Sequence, residues 1–462
     1  MSLNRHMSSL RRFYTNKNRR RKSAAQNAND YQTLEPRQLL AIDVGIDITS
    51  QQFGRGGVGN PADIAGAVGP AHVIEVVETQ FRIYDKVTGE ELVNKPLANF
   101  WLDTGGAGAQ SSNALVLNPN EARVVYDADT RRWFITSISY QDVITGADGV
   151  QSPVLFAVSR TSDPTQDWQS LRAAYDTDND GLPDAIFDGG ILPPGGNPVS
   201  STLSVDDENV YLSVNQGNPF LPDLTYVLHK ETDLVIVQPN HANNTILPGA
   251  ENLQFQLDVT GTETGTHGLL APNSGDLLTW VEIIDGDVPG GASQVVDSVS
   301  VPAYQPAPEF VRQLFDPDLT NAGTDFLSAP VRHGDSLWAA HTVLASNGTT
   351  SAIRWYEFDV NTKSLLQSGT IEDAVDNYIF PSITVTGNGA VAIGHTTTGV
   401  DLFPTHSVSV GYSNNGVTIF EDPIALKDGE GGYFDGDGNQ WGDYFSTVAD
   451  FDDPDKVWVF GK

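Results

Sequence analysis

Nine consecutive residues, Asp176-Thr177-Asp178-Asn179-Asp180-Gly181-Leu182-Pro183-Asp184, set carboxylates at loop positions 1, 3, 5 and 9, a backbone carbonyl on Leu182 at position 7 and a glycine at position 6. A Ca²⁺ ion is held by oxygen ligands, and a glycine at the sixth place lets a short loop turn sharply enough to gather them. Asp176, Asp178, Asp180, Leu182 and Asp184 are therefore the expected Ca²⁺ ligands. Phe187 stands at the twelfth position, where an EF-hand loop has a bidentate glutamate, and Asp188 is the nearest substitute. Losing that ligand predicts a weak site, with a Kd on the order of 10⁻⁴ to 10⁻³ M. A looser set, Asp435, Asp437, Asn439 and Asp443, repeats positions 1, 3, 5 and 9 with Gln440 in the glycine place. A glycine-rich turn ahead of a strand has the same composition for conformational reasons alone. Asp450, Asp452, Asp453 and Asp455 fall where a hairpin turn is due, and turn chemistry accounts for them.

Chemistry beyond metal binding is sparsely marked. Glycoside hydrolysis needs two carboxylates in different environments across a bound sugar. Among 57 acidic residues after position 40, Asp63 and Asp443 stand out only because both fall at strand entries. His341 and His395 lie inside strand-like runs, where a hydrogen-bonded core histidine is expected. The chain has no Gly-X-Ser-X-Gly, His-Glu-X-X-His, P-loop or dinucleotide fingerprint. It also lacks cysteine, so disulfides and thiolate chemistry are excluded. Nothing marks a nucleophile, and a binding role is expected ahead of a catalytic one.

The elements that must position these residues are short strands. Runs of four to eight Val, Ile, Thr, Tyr and Phe residues, bounded by Gly, Pro, Asn and Asp, recur throughout the chain. They group into units near 72–93, 123–173, 200–238, 252–302, 325–370 and 379–424, with an incomplete one from Tyr433. Forty-four glycines and 26 prolines cut the chain too finely for long helices. Seven units of about 60 residues, somewhat longer than common propeller repeats, predict an all-β propeller of about seven four-stranded blades, with six or eight allowed. Radial repetition leaves few open sheet edges. The last unit is short of strands, so a strand within 42–49 is expected to close the ring. Trp133, Trp168, Trp280, Trp338, Trp355 and Trp458 fall in strand patterns and should fill space between sheets. Trp101, read as lying in a loop, is the candidate for a sugar-stacking platform.

Charge divides the chain into a basic head and an acidic body. Residues 1–40 carry nine Lys/Arg against two Asp/Glu, leaving 17 against 57 in the remainder. A body of that sign repels phosphate backbones and favours cations, so nucleic acid is not an expected partner. No apolar run is long enough to span a membrane as a helix. The expected organisation is a basic export segment over 1–41 and one propeller domain over 42–462.

Leu34-Glu35-Pro36-Arg37-Gln38-Leu39-Leu40 resembles the LEPR-XLL motif near the N-terminus of many large exported bacterial proteins. From Pro61 to Phe460 the chain resembles secreted bacterial β-propellers of mostly undefined function. The residues that carry the likeness include Ile83-Tyr84-Asp85-Lys86-Val87-Thr88-Gly89, Phe380-Pro381-Ser382 and Trp441-Gly442-Asp443-Tyr444. That class commonly has Arg before its WGDY, where this chain has Gln440, so no anion-binding arginine is expected there. Thr161-Ser162-Asp163-Pro164-Thr165-Gln166-Asp167-Trp168 resembles the Asp-box of sialidase-type propellers, a hairpin feature remote from catalysis. The 176–184 loop is similar to the shorter calcium loops of dockerin-like and thrombospondin-type-3-like repeats. Together these imply an exported protein, extracellular, at the cell surface or periplasmic. It would act as a calcium-stabilised binding or scaffold module, with an extracellular glycan or a surface protein as partner. The alternative is a carbohydrate-active hydrolase or lyase with its site at the channel mouth.

Overall fold

The computed structural model describes residues 44–46, 48, 63–77, 79–104, 119–139, 143–145, 149–151, 154–170, 172–175, 185–188, 190–191, 198–216, 220, 223–230, 245–250, 252–258, 266–270, 275–284, 291–315, 318–320, 328–434, 439–442, 444–453 and 455–461. Every described strand, and the helix, belongs to the unit Ile46–Lys462.

The unit is an all-β propeller with six four-stranded blades and a final two-stranded sheet, a count within the expected range. Blade 1 comprises Ile64–Val68, His72–Val77, Gln80–Asp85 and Glu91–Pro96, each strand antiparallel to the next. Blades 2 to 6 repeat the meander, beginning with strands Pro119–Asp127, Ser200–Val205, Gln254–Phe255, Val331–His333 and Asn377–Val385. The last sheet pairs Ser446–Ala449 with Val457–Phe460. First strands of neighbouring sheets stand side by side, as Ile64–Val68 does between Pro119–Asp127 and Ser446–Ala449, while between blades 4 and 5 Leu257–Asp258 pairs parallel with Val331–His333. Of the segment expected to close the ring, Val44–Ile46 and Ile48 are described and carry no strand assignment. Ile48 packs against the cluster that holds Trp458 and Phe460.

Sequence periodicity explains where burial falls. Strands with a blade on either side, such as Asn377–Val385 and Val391–Gly399, are buried at every position and read as continuous apolar or small runs. The outermost strand Ser293–Tyr304 is exposed at most positions. The core is accordingly a ring of inter-blade clusters. Between blades 1 and 2, Phe81, Phe100, Trp101, Trp133 and Trp168 pack together, with Phe81 and Phe100 stacked at 4.3 Å. The Asp-box behaves as its sequence suggests. Asp163 Oδ1 accepts the Thr165 amide at 3.0 Å, and the Trp168 indole donates to Pro164 O at 2.8 Å while packing between sheets.

Two buried ion pairs bolt neighbouring sheets at one end of the ring. Lys230, at the end of a blade 3 strand, reaches Asp127 in the first turn of blade 2 at 2.8 Å, with side chains 3% and 1% exposed. Lys86 of blade 1 reaches Asp450 in the turn of the last sheet at 2.8 Å, with side chains 11% and 2% exposed. The second pair joins the two ends of the ring. The acidic run at 450–455 is thus a turn, as expected, and also a latch.

Candidate functional site

The first strands surround a cavity of about 80 Å³ in the channel, lined on its polar side by Arg123, Thr202, Gln254, Ser328, Thr342, Ser382 and Thr447. Phe255, Phe380, Tyr444 and Phe445 supply aromatic rings, and none of the described lining residues is acidic.

Local backbone chemistry sets Arg123. The register of Pro119–Asp127 against its neighbour slips between Asn120 and Arg123, and Glu121 within the slip has φ 52°. Such a bulge re-aims the side chains that follow it. The Arg123 guanidinium lies over the Tyr444 ring, 3.1 Å from its centroid, and its Nε donates to Ser201 O at 3.3 Å. Tyr444 is itself fixed, since its hydroxyl donates to Ala122 O at 2.9 Å and its carbonyl accepts the Ile64 amide at 3.2 Å. Across the channel a second slip, between Ile379 and Ser382, holds Phe380 at φ 53° ahead of Pro381. The Ser382 and Thr447 hydroxyls are 2.6 Å apart, and Thr447 Oγ1 also accepts the Gly394 amide at 3.3 Å. Two left-handed non-glycine residues beside one cavity are the kind of strain that concentrates at functional sites. Tyr444 thus has an arginine against its ring, supplied by blade 2.

Most of the metal ligands singled out from sequence are not among the described residues. Asp176, Asp178, Asp180, Leu182 and Asp184 lie outside the described residues, as do Asp435, Asp437 and Asp443. Asn439 is described and buried, with φ 58°, and its side-chain amide donates to Asp318 O at 3.2 Å. Among the described residues no cluster of three or more His, Asp or Glu could hold a metal. Asp63 is buried immediately before the strand whose Ile64 amide meets Tyr444. His341 and His395 are core residues, fully buried, with Nε2 2.9 Å from the Tyr356 hydroxyl and 3.1 Å from the Ser409 hydroxyl respectively. Burial pushes His395 down to about 3, so it is neutral at pH 7. Trp101 requires a correction. It sits in the helix Leu97–Asp103, is 0% exposed, and packs on Phe100 and the core between blades 1 and 2. It has no face to offer a sugar.

Six blades around a lined channel define the chain as a β-propeller. No protein-family model matches it and no curated protein does. Among solved structures it is similar to an ulvan lyase of a polysaccharide lyase family, at 11% identity and a TM-score of 0.40, covering 88% of this chain and 95% of that one. It is similar to Hsv2p of Kluyveromyces lactis at 10% identity and a TM-score of 0.32, covering 79% and 99%. It is also similar to a bifunctional GH43-CE protein of Bacteroides eggerthii at 12% identity and a TM-score of 0.33, covering 70% of this chain but only 37% of that one. The chain thus spans little more than a third of that protein's length. These likenesses concern the fold.

Proposed function

We propose that the protein is an exported carbohydrate-directed propeller that binds a glycan at the mouth of its channel. The observation that carries this reading is the channel cavity, where the aromatic rings of Phe255, Phe380 and Tyr444 stand among the hydroxyls of Thr202, Ser328, Thr342, Ser382 and Thr447, a lining that can receive a substituent of a glycan whose ring stays at the mouth. Few precisely placed polar groups against aromatic walls are the usual composition of a ligand site. Residues 1–41 act as the export segment and 42–462 as the propeller, working outside the cytoplasm. The Asp176–Asp184 loop binds Ca²⁺ and stabilises the domain. The described lining residues supply hydroxyls, an amide and a guanidinium and no carboxylate, which suits binding ahead of two-carboxylate hydrolysis.

A hydrolase or lyase is the second reading, favoured by one observation. Asp63 and Glu121 are buried carboxylates next in sequence to Ile64 and Ala122, which hold Tyr444, and Glu121 sits in left-handed backbone. A glycan array probed with the full chain tests the common ground. Saturable binding to a defined set of glycans is expected, and incubation of those glycans with protein and with Glu121→Gln then separates binding from turnover. An array with no hit would overturn the reading and leave a surface protein as the partner to seek.

A further inference from the structure

We propose that the channel cavity is an anion site in which Arg123 takes a carboxylate or sulfate group of an acidic glycan, while the sugar ring itself stays at the mouth. This rests on the carbohydrate reading above and specifies its ligand class.

Charge is the first ground. Lys86 and Lys230, drawn into the body, face aspartates, and Arg82 faces Glu75 and Glu91. Arg123 faces none. Among the described residues its contacts are the Ser201 carbonyl and the Tyr444 ring, and the cavity it lines holds no acidic side chain. In a chain with 59 acidic and 26 basic residues, a cation with no carboxylate partner among the described residues lacks its usual partner. The Nε bond and the ring fix the plane of the guanidinium, so its terminal nitrogens can meet two oxygens of one oxyanion in the fork geometry that arginine favours.

Size is the second ground. A cavity of about 80 Å³ has room for about two to three water molecules at the ~30 Å³ each takes in the liquid. A carboxylate or sulfate substituent fits such a space, whereas a pyranose ring with its hydroxyls does not. The third ground is the opposite wall. Whichever of Ser382 and Thr447 donates within their 2.6 Å contact, one hydroxyl proton of the pair is left over to donate. The backbone that carries these groups is held by the bulges at Glu121 and Phe380, so the site is formed before a ligand arrives.

The test is calorimetry on the full chain with three oligosaccharides of equal length, one bearing carboxylates (trigalacturonate), one bearing sulfate esters and one neutral. The expected result is at least tenfold tighter binding of one or both acidic ligands than of the neutral one. The two acidic arms distinguish carboxylate from sulfate. Arg123→Gln should lower the acidic-over-neutral affinity ratio by about ten- to hundredfold, as loss of charge-assisted hydrogen bonds implies. Arg123→Lys, which keeps the charge and loses the fork, should fall between. If Arg123→Gln does not fold, the wild-type contrast between acidic and neutral ligands still decides. Equal affinity for all three ligands, or acidic binding indifferent to Arg123→Gln, overturns the anion site and leaves glycan binding standing. No binding of any oligosaccharide removes both.

Discussion

The Asp450 latch makes the sharpest structural prediction, because it joins the last sheet to the first blade across 364 residues of chain. Asp450 Oδ1 accepts Lys86 Nζ at 2.8 Å and the Asp452 amide at 2.9 Å, and Oδ2 accepts the Trp458 indole at 3.0 Å. Lys86 keeps two other contacts, with Gly69 O at 3.0 Å and with the half-exposed Asp452 carboxylate at 3.3 Å. Asp450→Ala therefore strands an indole and leaves a largely buried ammonium with weaker partners. Breaking a buried pair from one side costs about 3–5 kcal/mol. At about 2.1 cal/mol/K per residue over roughly 400 residues, the unfolding entropy is about 0.8 kcal/mol/K, so Tm should fall by about 4–6 °C. Scanning calorimetry at pH 7 measures this, with the half-exposed Asp453→Ala, which removes a surface pair with Lys456, as a control that should move Tm little. The pH dependence has a definite sign. Burial pushes the Asp450 carboxyl up, but the hydrogen bonds from Lys86, Trp458 and the Asp452 amide outweigh it and hold it below the usual carboxylate range. A lowered folded value means that the contribution is present above the unfolded value of 3.8 and is lost as pH falls through the folded value. The gap between wild type and Asp450→Ala should therefore persist at pH 5 and close only in stronger acid. A Tm change under about 1 °C at pH 7, or a gap that closes above pH 5, would refute the reasoning.

Asp206 should behave in the opposite sense. Burial pushes its carboxyl up to about 6 despite bonds from the Tyr211 hydroxyl and the Asn209 and Glu208 amides. Ionising it opposes folding, so stability from this group is full below the unfolded value of 3.8 and is lost as pH rises through about 6. Asp206→Asn should then gain on wild type between pH 4 and 7, and a flat difference in urea midpoints would contradict this. Trp101→Ala should destabilise by about 3–5 kcal/mol through the cavity it leaves without altering glycan binding on the array; lost binding with intact stability would restore it as a sugar platform. EDTA should lower Tm and millimolar Ca²⁺ restore it, since a ligand bound only by the native state stabilises by mass action. Asp176→Ala with Asp180→Ala should abolish that response, and a response that survives would place the metal elsewhere.

Much of the architecture is readable from sequence because it is local. Turn residues at regular spacing delimit the meanders, and the run Val154–Ser159 announces a strand buried on both faces. The Asp-box shows its capping aspartate and packed tryptophan in eight consecutive residues. What cannot be read depends on ring closure. Lys86 with Asp450 and Lys230 with Asp127 are 364 and 103 residues apart, and no local pattern pairs them. Arg123 looks like one more residue of a strand; the slip at Glu121 and the arrival of Tyr444 from the far end of the chain give it its setting. Trp101 carries a local signal that a loop reading overlooks. Leu97, Phe100 and Trp101 follow the i, i+3, i+4 spacing of a helix face, and all three are buried.

The most direct test of the central claim is a crystal structure of the full chain with the tightest glycan from the array. The sugar is expected at the channel mouth against Tyr444, with a charged substituent within about 3 Å of the Arg123 guanidinium. A ligand seated on the outer strands, or at the opposite end of the ring beside Asp127 and Asp450, would contradict it.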